Sequence, residues 1–278
     1  MLQNKTIAFI GAGSMAESIL GGLLSENLVK PQQIVVTNKT NDQRLNELNE
    51  CYKVSIAESK EDAMKKADLV ILAMKPKHIE DGISSIKEYT KDNHLVISVL
   101  AGISTSYIEE LFGMKTAVVR AMPNTSSKVS ASATALCRGY YASAHHLDTA
   151  SALFAAIGTV TIFDEAKMDA VTGISGSGPA YFYYFVEAME IAAKEAGLPE
   201  TEAKELIVQT LAGAAKRLQN SDQPPNDLYN EVMSPGGTTE AAFKTLEHHS
   251  VQEHFKNSIK EAIKRSKELG SATRSPIS

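Results

Sequence analysis

Ile7-Ala8-Phe9-Ile10-Gly11-Ala12-Gly13-Ser14-Met15-Ala16 is a short apolar run that breaks at a glycine and restarts as a helical pattern reaching Leu24. The spacing G-x-G-x-x-A predicts a strand, a tight turn and a helix, the opening of a dinucleotide-binding βαβ unit. Gly11 permits the turn, and Gly13 lets the backbone approach a pyrophosphate. Ala16, small in place of a third glycine, lets helix and strand pack closely. The N–H groups at the helix start, around Ser14 and Met15, then face two phosphates.

Outward from this stretch, apolar runs recur at Gln33–Asn38, Asp68–Met74, His94–Leu100, Ala117–Met122, Ala133–Cys137 and Thr159–Phe163. Most are continuous rather than alternating, as strands covered on both faces should be. Helical stretches between the early runs suit right-handed crossovers. The pattern predicts an α/β Rossmann-type domain with a doubly wound, mostly parallel sheet over residues 1–164, followed by an all-helical dimerisation domain over 165–278. In the second part Ala203, Leu206, Ile207, Leu211, Ala214 and Leu218 share one helical face, as do Phe255, Ile259, Ile263 and Leu269. Gly197-Leu198-Pro199 and Pro224-Pro225 punctuate helices. So small and alanine-rich a helical half is expected to complete its core by dimerising, and the tail from Gly270 reads as frayed.

Composition excludes several classes. With 43% hydrophobic and 22% charged residues the chain is not disordered, and a net charge of −5 offers no surface for nucleic acid or an anionic membrane. Two cysteines, Cys51 and Cys137, make neither a disulfide framework nor a metal pair. The start has no secretory pattern. The longest uncharged stretch, Ala170–Val186, is broken by glycines and a proline and is too short to span a membrane. A cytoplasmic protein is expected.

The end of the second strand selects the cofactor. An NAD enzyme usually has a carboxylate there for the ribose 2′-hydroxyl. Asn38-Lys39-Thr40 instead offers a positive charge and small donors, which suits a 2′-phosphate and favours NADPH, with NADH still possible; the competing reading is a solvated turn with Lys39 in water. Leu72-Ala73-Met74-Lys75-Pro76 ends a strand at the edge where open α/β sheets bind ligands. Lys75 is either a phosphate contact or a solvated charge. Ser234-Pro235-Gly236-Gly237-Thr238-Thr239 precedes an amphipathic helix and presents backbone N–H groups to an anion, a carboxylate fitting well. Its competitor is an ordinary cap with Thr238 or Thr239 as N-cap. Ile174-Ser175-Gly176-Ser177-Gly178-Pro179-Ala180 is a similar small-residue entry to a helix. No G-x-S-x-G, H-E-x-x-H or P-loop pattern and no set of metal ligands occurs, which leaves hydride transfer as the natural chemistry.

With Arg120-Ala121-Met122-Pro123-Asn124-Thr125 and Val171-Thr172-Gly173 added, these stretches resemble pyrroline-5-carboxylate reductase over essentially the whole chain. The resemblance implies NAD(P)H-dependent reduction of the cyclic imine 1-pyrroline-5-carboxylate to L-proline, the last step of proline biosynthesis. It implies a helical domain intertwined with its partner's in a homodimer, often built further into rings, and an active site between one subunit's nucleotide domain and its partner's helices. By position, Ser234, Gly236, Gly237 and Thr238 would hold the substrate carboxylate and Thr239 would be catalytic, bonding the ring nitrogen. Ala73, Met74, Lys75, Pro76, Ala101 and Asn124 would border the cofactor. Glu165 would lie on the substrate side and Glu231 on the cofactor side. One position departs: Lys60 stands where many members carry an asparagine touching the adenosine. The rival readings are a β-hydroxyacid-type dehydrogenase, which needs a proton acceptor such as a helical lysine, and a non-catalytic dinucleotide-binding regulatory protein.

Overall fold

The computed structural model describes residues 2–272. Five strand–helix units come first: β1 (Ile7–Ile10) with α1 (Ser14–Ser25), β2 (Ile34–Thr37) with α2 (Asp42–Tyr52), β3 (Ser55–Ile56) with α3 (Lys60–Lys66), β4 (Leu69–Leu72) with α4 (Ile79–Ser84), and β5 (Leu95–Ser98) with α5 (Thr105–Phe112). Then follow β6 (Ala117–Met122), β7 (Ser132–Arg138), α6 (Ala144–Phe154) and β8 (Gly158–Ile162). Beyond β8 the described residues hold no strand. They form α7 (Met168–Val171), a π-helical turn Thr172–Gly176, α8 (Gly178–Glu195), α9 (Glu200–Gln219), α10 (Pro225–Val232), α11 (Thr238–His248) and α12 (Val251–Ala272). No helix among the described residues is long and apolar enough to cross a membrane.

The strands make one sheet in the order β3-β2-β1-β4-β5-β6-β7-β8, parallel throughout except at β6–β7. Strands β1 and β4 are apolar and buried at every position because both faces are covered, while β2, β5 and β6 bury Thr37, Ser98 and Arg120 among their apolar residues. Successive side chains point to opposite faces, so Ile7 and Phe9 join the layer of Ile19, Leu23 and Leu48. Ala8 and Ile10 join that of Ile79, Ile83 and Ile108. The two-residue β3 was not foreseen. It sits at the sheet edge with Ser55 half-buried and Ile56 exposed, so it needs no apolar run. β2, β4 and β5 are two or three residues shorter than expected where the chain turns into loops, β6 has the expected bounds, β7 is a residue longer at each end, and β8 is shifted by one residue.

The helix α12 runs through Ala272 rather than fraying from Gly270. A side chain at Gly270 would collide with the Gly102 carbonyl at 2.3 Å, so this glycine allows a close approach inside the structure. Residues 273–278 of the expected tail lie outside the described residues.

Packing divides the chain into two compact units. One joins residues up to 178 with those from 261 onward; the other is Pro179–Lys260. The first cut falls later than residue 164 because α7 and the π-turn pack with the first unit. Ser266 of α12 donates to Asp169 of α7 at 2.7 Å, and a Cβ on Gly173 would meet Ile263 Cγ1 at 2.5 Å. Of the expected apolar stripe in α9, Ala203 and Ile207 are buried, but Leu206, Leu211 and Leu218 are 63%, 40% and 51% exposed. The described residues thus cover only part of that stripe.

Candidate functional site: a dinucleotide cradle and an anion loop

Register brings the cofactor candidates together. Ile10 pairs with Thr37 and Leu72, Leu72 with Ser98, and Ser98 with Arg120, so five adjacent strands end along one edge. Gly11–Ala16, Asn38–Thr40, Ala73–Pro76, Ala101 and Asn124 all follow those ends. Gly11 has φ +108°, and a Cβ there would strike the Ala73 carbonyl oxygen at 2.6 Å. Its amide donates to the Thr37 carbonyl at 3.1 Å, while Ala73 N–H donates to Ile10 at 3.0 Å. Gly13 is the N-cap of α1 with no side-chain cap, and a Cβ on it would meet nothing within 4 Å. An uncapped helix start opening onto free space fits a pyrophosphate. Ser14 is exposed, Met15 half-buried, and Ala16 fully buried against the sheet, as close helix–strand packing requires.

Arg44, which sequence reasoning missed, braces this turn from α2. Its Nε donates to the Ala12 carbonyl at 3.1 Å, and its other nitrogens pair with Glu17 and Glu47. The signal available was one arginine in a polar helix, which periodicity does not single out. At the strand ends Lys39 is ion-paired with Asp81, Asn38 folds its side chain toward the Thr40 amide, and Lys75 is exposed at the N-cap of the 3₁₀ turn Pro76–His78. Asn124 is buried. It accepts from Ser126 N–H at 3.0 Å and donates to the Ser175 carbonyl at 3.1 Å, tying the end of β6 to the π-turn.

Glu165 is half-buried, its side chain 33% exposed. Its carboxylate accepts from Arg120 Nη1 at 2.5 Å, and from Thr105 Oγ1 at 2.7 Å and Thr105 N–H at 3.0 Å at the start of α5. Burial pushes this carboxyl up, but the Thr105 bonds and the Arg120 charge outweigh it and hold it below the usual range. Burial and the adjoining Glu165 charge drive the neighbouring Cys137 thiol to about 12, so it is unreactive. The contacts of Glu165 are thus those of an anchor joining α5 and β6.

In the second unit, Ser234–Thr239 forms a turn before α11. Gly236 has φ +73°, and Gly237 N–H donates to the Ser234 carbonyl at 2.9 Å. Gly236 N–H donates to Glu240 at 2.7 Å. That bond, with Lys244 nearby, holds the Glu240 carboxyl below its ordinary value. Gly237 is the N-cap of α11 and no side chain caps it, so the alternative of a threonine cap is not realised. The hydroxyls of Thr238 and Thr239 make no hydrogen bond within the described residues, and the first-turn amides of Thr238 and Thr239 lie at the uncapped helix start. Gly236 and Gly237 therefore shape the turn rather than offer their own amides. Glu231, on α10, is bonded to Arg217 and to Gln223 Nε2. A cavity of about 520 Å³ lies at the opposite edge of the sheet, lined by Glu109, Met114, Tyr140 and Tyr141, and shares no residue with either element.

Residues 165–269 match the family model described as pyrroline-5-carboxylate reductase dimerisation, and residues 6–102 match one described as NADP oxidoreductase coenzyme F420-dependent. The chain is 46% identical to pyrroline-5-carboxylate reductase 2 of Bacillus subtilis over 95% of each chain, and 35% identical to pyrroline-5-carboxylate reductase of Arabidopsis thaliana, again over 95% of each. Among solved structures, a pyrroline-5-carboxylate reductase from Coxiella burnetii superposes with a TM-score of 0.85 at 36% identity, covering 96% of this chain and 99% of that one. Pyrroline carboxylate reductase of Plasmodium falciparum, with NADP bound, gives a TM-score of 0.88 at 27% identity, covering 97% and 100%. By its cradle, its Ser-Pro-Gly-Gly-Thr-Thr loop and its likeness along nearly the whole chain, the protein belongs to the pyrroline-5-carboxylate reductase family.

Proposed function

We propose that the chain reduces 1-pyrroline-5-carboxylate to L-proline in the cytoplasm, as a homodimer and with NADPH preferred over NADH. The observation that carries this reading is the Ser234–Thr239 loop, whose first-turn amides and two threonine hydroxyls are uncommitted while its glycines fix the turn. Gly11–Ala16 would hold the pyrophosphate, Asn38–Thr40 the adenosine end, and Ala73–Pro76, Ala101 and Asn124 the nicotinamide side. When bound, the reduced nicotinamide supplies the hydride.

The residues have correspondingly little chemistry to perform. A protonated imine already carries its proton on nitrogen, so gain of a hydride at carbon yields the neutral amine without an added acid. The Thr238 and Thr239 amides at the positive end of α11 would anchor the substrate carboxylate. The Thr239 hydroxyl would accept the iminium N–H and turn the reacting carbon toward its donor. Holding those atoms at attack distance is the main contribution. The charge of Glu240 is partly offset by Gly236 N–H and Lys244, which limits its repulsion of an incoming carboxylate. Residues 165–278 would supply both this loop and the dimer contact. Glu165 and Glu231 then support the site through their ion pairs.

The test mixes purified protein with pyrroline-5-carboxylate and NADPH or NADH and follows the reduced cofactor by absorbance. Consumption dependent on the imine, with higher kcat/KM for NADPH, is expected. No imine-dependent consumption with either cofactor would overturn the reading.

A further inference from the structure

Lys39 and Asp81 meet from opposite sides of the glycine turn. Lys39 lies just past β2 and Asp81 on α4, after β4, and those two strands flank β1. Nζ of Lys39 stands 3.0 Å from Oδ2 of Asp81, with the side chains 67% and 69% exposed. The pair therefore reaches over the carboxyl edge on which the cradle opens. The bond and charge of Lys39, with weaker pulls from His78 and Lys60, hold the Asp81 carboxyl below its ordinary range. Lys60, in the first turn of α3, is itself turned to Ser85 Oγ at 2.7 Å, at the end of α4. One carboxylate thus stands among basic side chains from three segments. An exposed pair of this kind opens at little cost, and a phosphomonoester, with nearly twice the charge of a carboxylate, is a stronger partner for the same ammonium group.

We propose that Asp81 is a specificity-determining residue: it occupies Lys39 while the cleft is empty, competes there with the cofactor's 2′-phosphate, and so limits the preference for NADPH over NADH. This rests on the reading of Asn38–Thr40 as the 2′-phosphate end. Asp81 yields Lys39 to a phosphate and stays nearby as a like charge. NADH, having no such group, leaves the pair closed.

Calorimetric titration of NADPH and NADH against wild type, Asp81→Asn, Lys39→Gln and the double variant tests the inference, with thermal unfolding of each variant as a control for folding. Asp81→Asn should raise the ratio of the NADH Kd to the NADPH Kd about three- to tenfold at low salt, less at high salt. The gain should shrink in the Lys39→Gln background, because the two residues act on one another. If Lys39→Gln lowers the ratio while Asp81→Asn leaves it unmoved, or raises it equally in both backgrounds, the role of Asp81 is overturned and the strand-end reading stands. If Lys39→Gln itself leaves the ratio unmoved, the strand-end reading fails and takes this inference with it.

Discussion

Thr239 is one hydroxyl whose two possible duties separate cleanly. It follows the N-cap by two residues and caps nothing, so Thr239→Ala should leave the melting temperature nearly unchanged. If it bonds the ring nitrogen, the same change removes a hydrogen bond to a charged group. That is worth about 1.5–3 kcal/mol, or roughly 10- to 150-fold in kcat/KM, with NADPH affinity kept. Steady-state kinetics and melting on the one variant decide the matter, and a colder melt with intact kcat/KM would assign Thr239 to the fold. The glycines of the first turn divide in a similar way. Gly11→Ala forces a Cβ into the Ala73 carbonyl at positive φ and should cost about 1–3 kcal/mol of stability. Gly13 has ordinary extended backbone and open space before it. Gly13→Ala should therefore fold within about 1 kcal/mol of wild type, the lower entropy of the unfolded chain offsetting a poorer N-cap. Its methyl group would still stand in the cradle, and the NADPH Kd should rise about tenfold or more, about 1.4 kcal/mol. Denaturant unfolding and cofactor titration on both variants test the pair. These glycines were legible in the sequence because backbone geometry imposes a fixed spacing. Arg44 and Asp81 were not, because their partners lie tens of residues away.

Among the elements, the junction of α5, β6, β7 and α7 rests on Arg120 and Glu165. Arg120 is 2% exposed, paired with Glu165 and 3.6 Å from Asp169, which Ser266 of α12 also holds. Glu165→Gln would leave a buried guanidinium short of its partner and should cost about 3–5 kcal/mol, read by denaturant unfolding. The pH dependence follows from the lowered carboxyl. A depressed folded value means that stability is present above the unfolded pKa of about 4.3 and is lost as pH falls through the folded value. The stability gap between wild type and Glu165→Gln should thus be full at pH 7 and shrink below about pH 4. A gap that does not change with pH, or a variant altered only in KM for the imine, would return Glu165 to the substrate. Only the family resemblance marked Glu165, and it placed the residue on the substrate side. The sequence could not show that Thr105, 60 residues earlier, turns a helix start toward it. Strands were more legible than this junction, since burial on both faces writes an apolar run locally. The exception was β3, where an edge strand of two residues leaves no such trace.

For the whole molecule the question is what covers the helices of the second unit. Tyr183 and Tyr184 on α8 are 64% and 71% exposed, and Leu206 and Val208 on α9 are 63% and 51% exposed. Large side chains left open in such number along neighbouring stretches mark a surface meant for burial. The sequence showed the stripe on α9 but not that the described residues leave half of it uncovered, because periodicity reports a face and not its occupant. Obligate homodimers bury about 2,000–5,000 Å² with largely apolar contacts, and a second copy of these helices would supply that chemistry. Light scattering at micromolar concentration should therefore give about twice the chain mass of 30.0 kDa. The double change Tyr184→Asp and Leu206→Asp touches only exposed positions, where substitutions usually shift stability by about 0.5 kcal/mol or less. It should leave each chain folded by circular dichroism, halve the mass and abolish turnover together. A wild type that scatters as a single chain with full activity would mean that these helices serve some other contact. A double variant that stays dimeric would place the contact elsewhere on them.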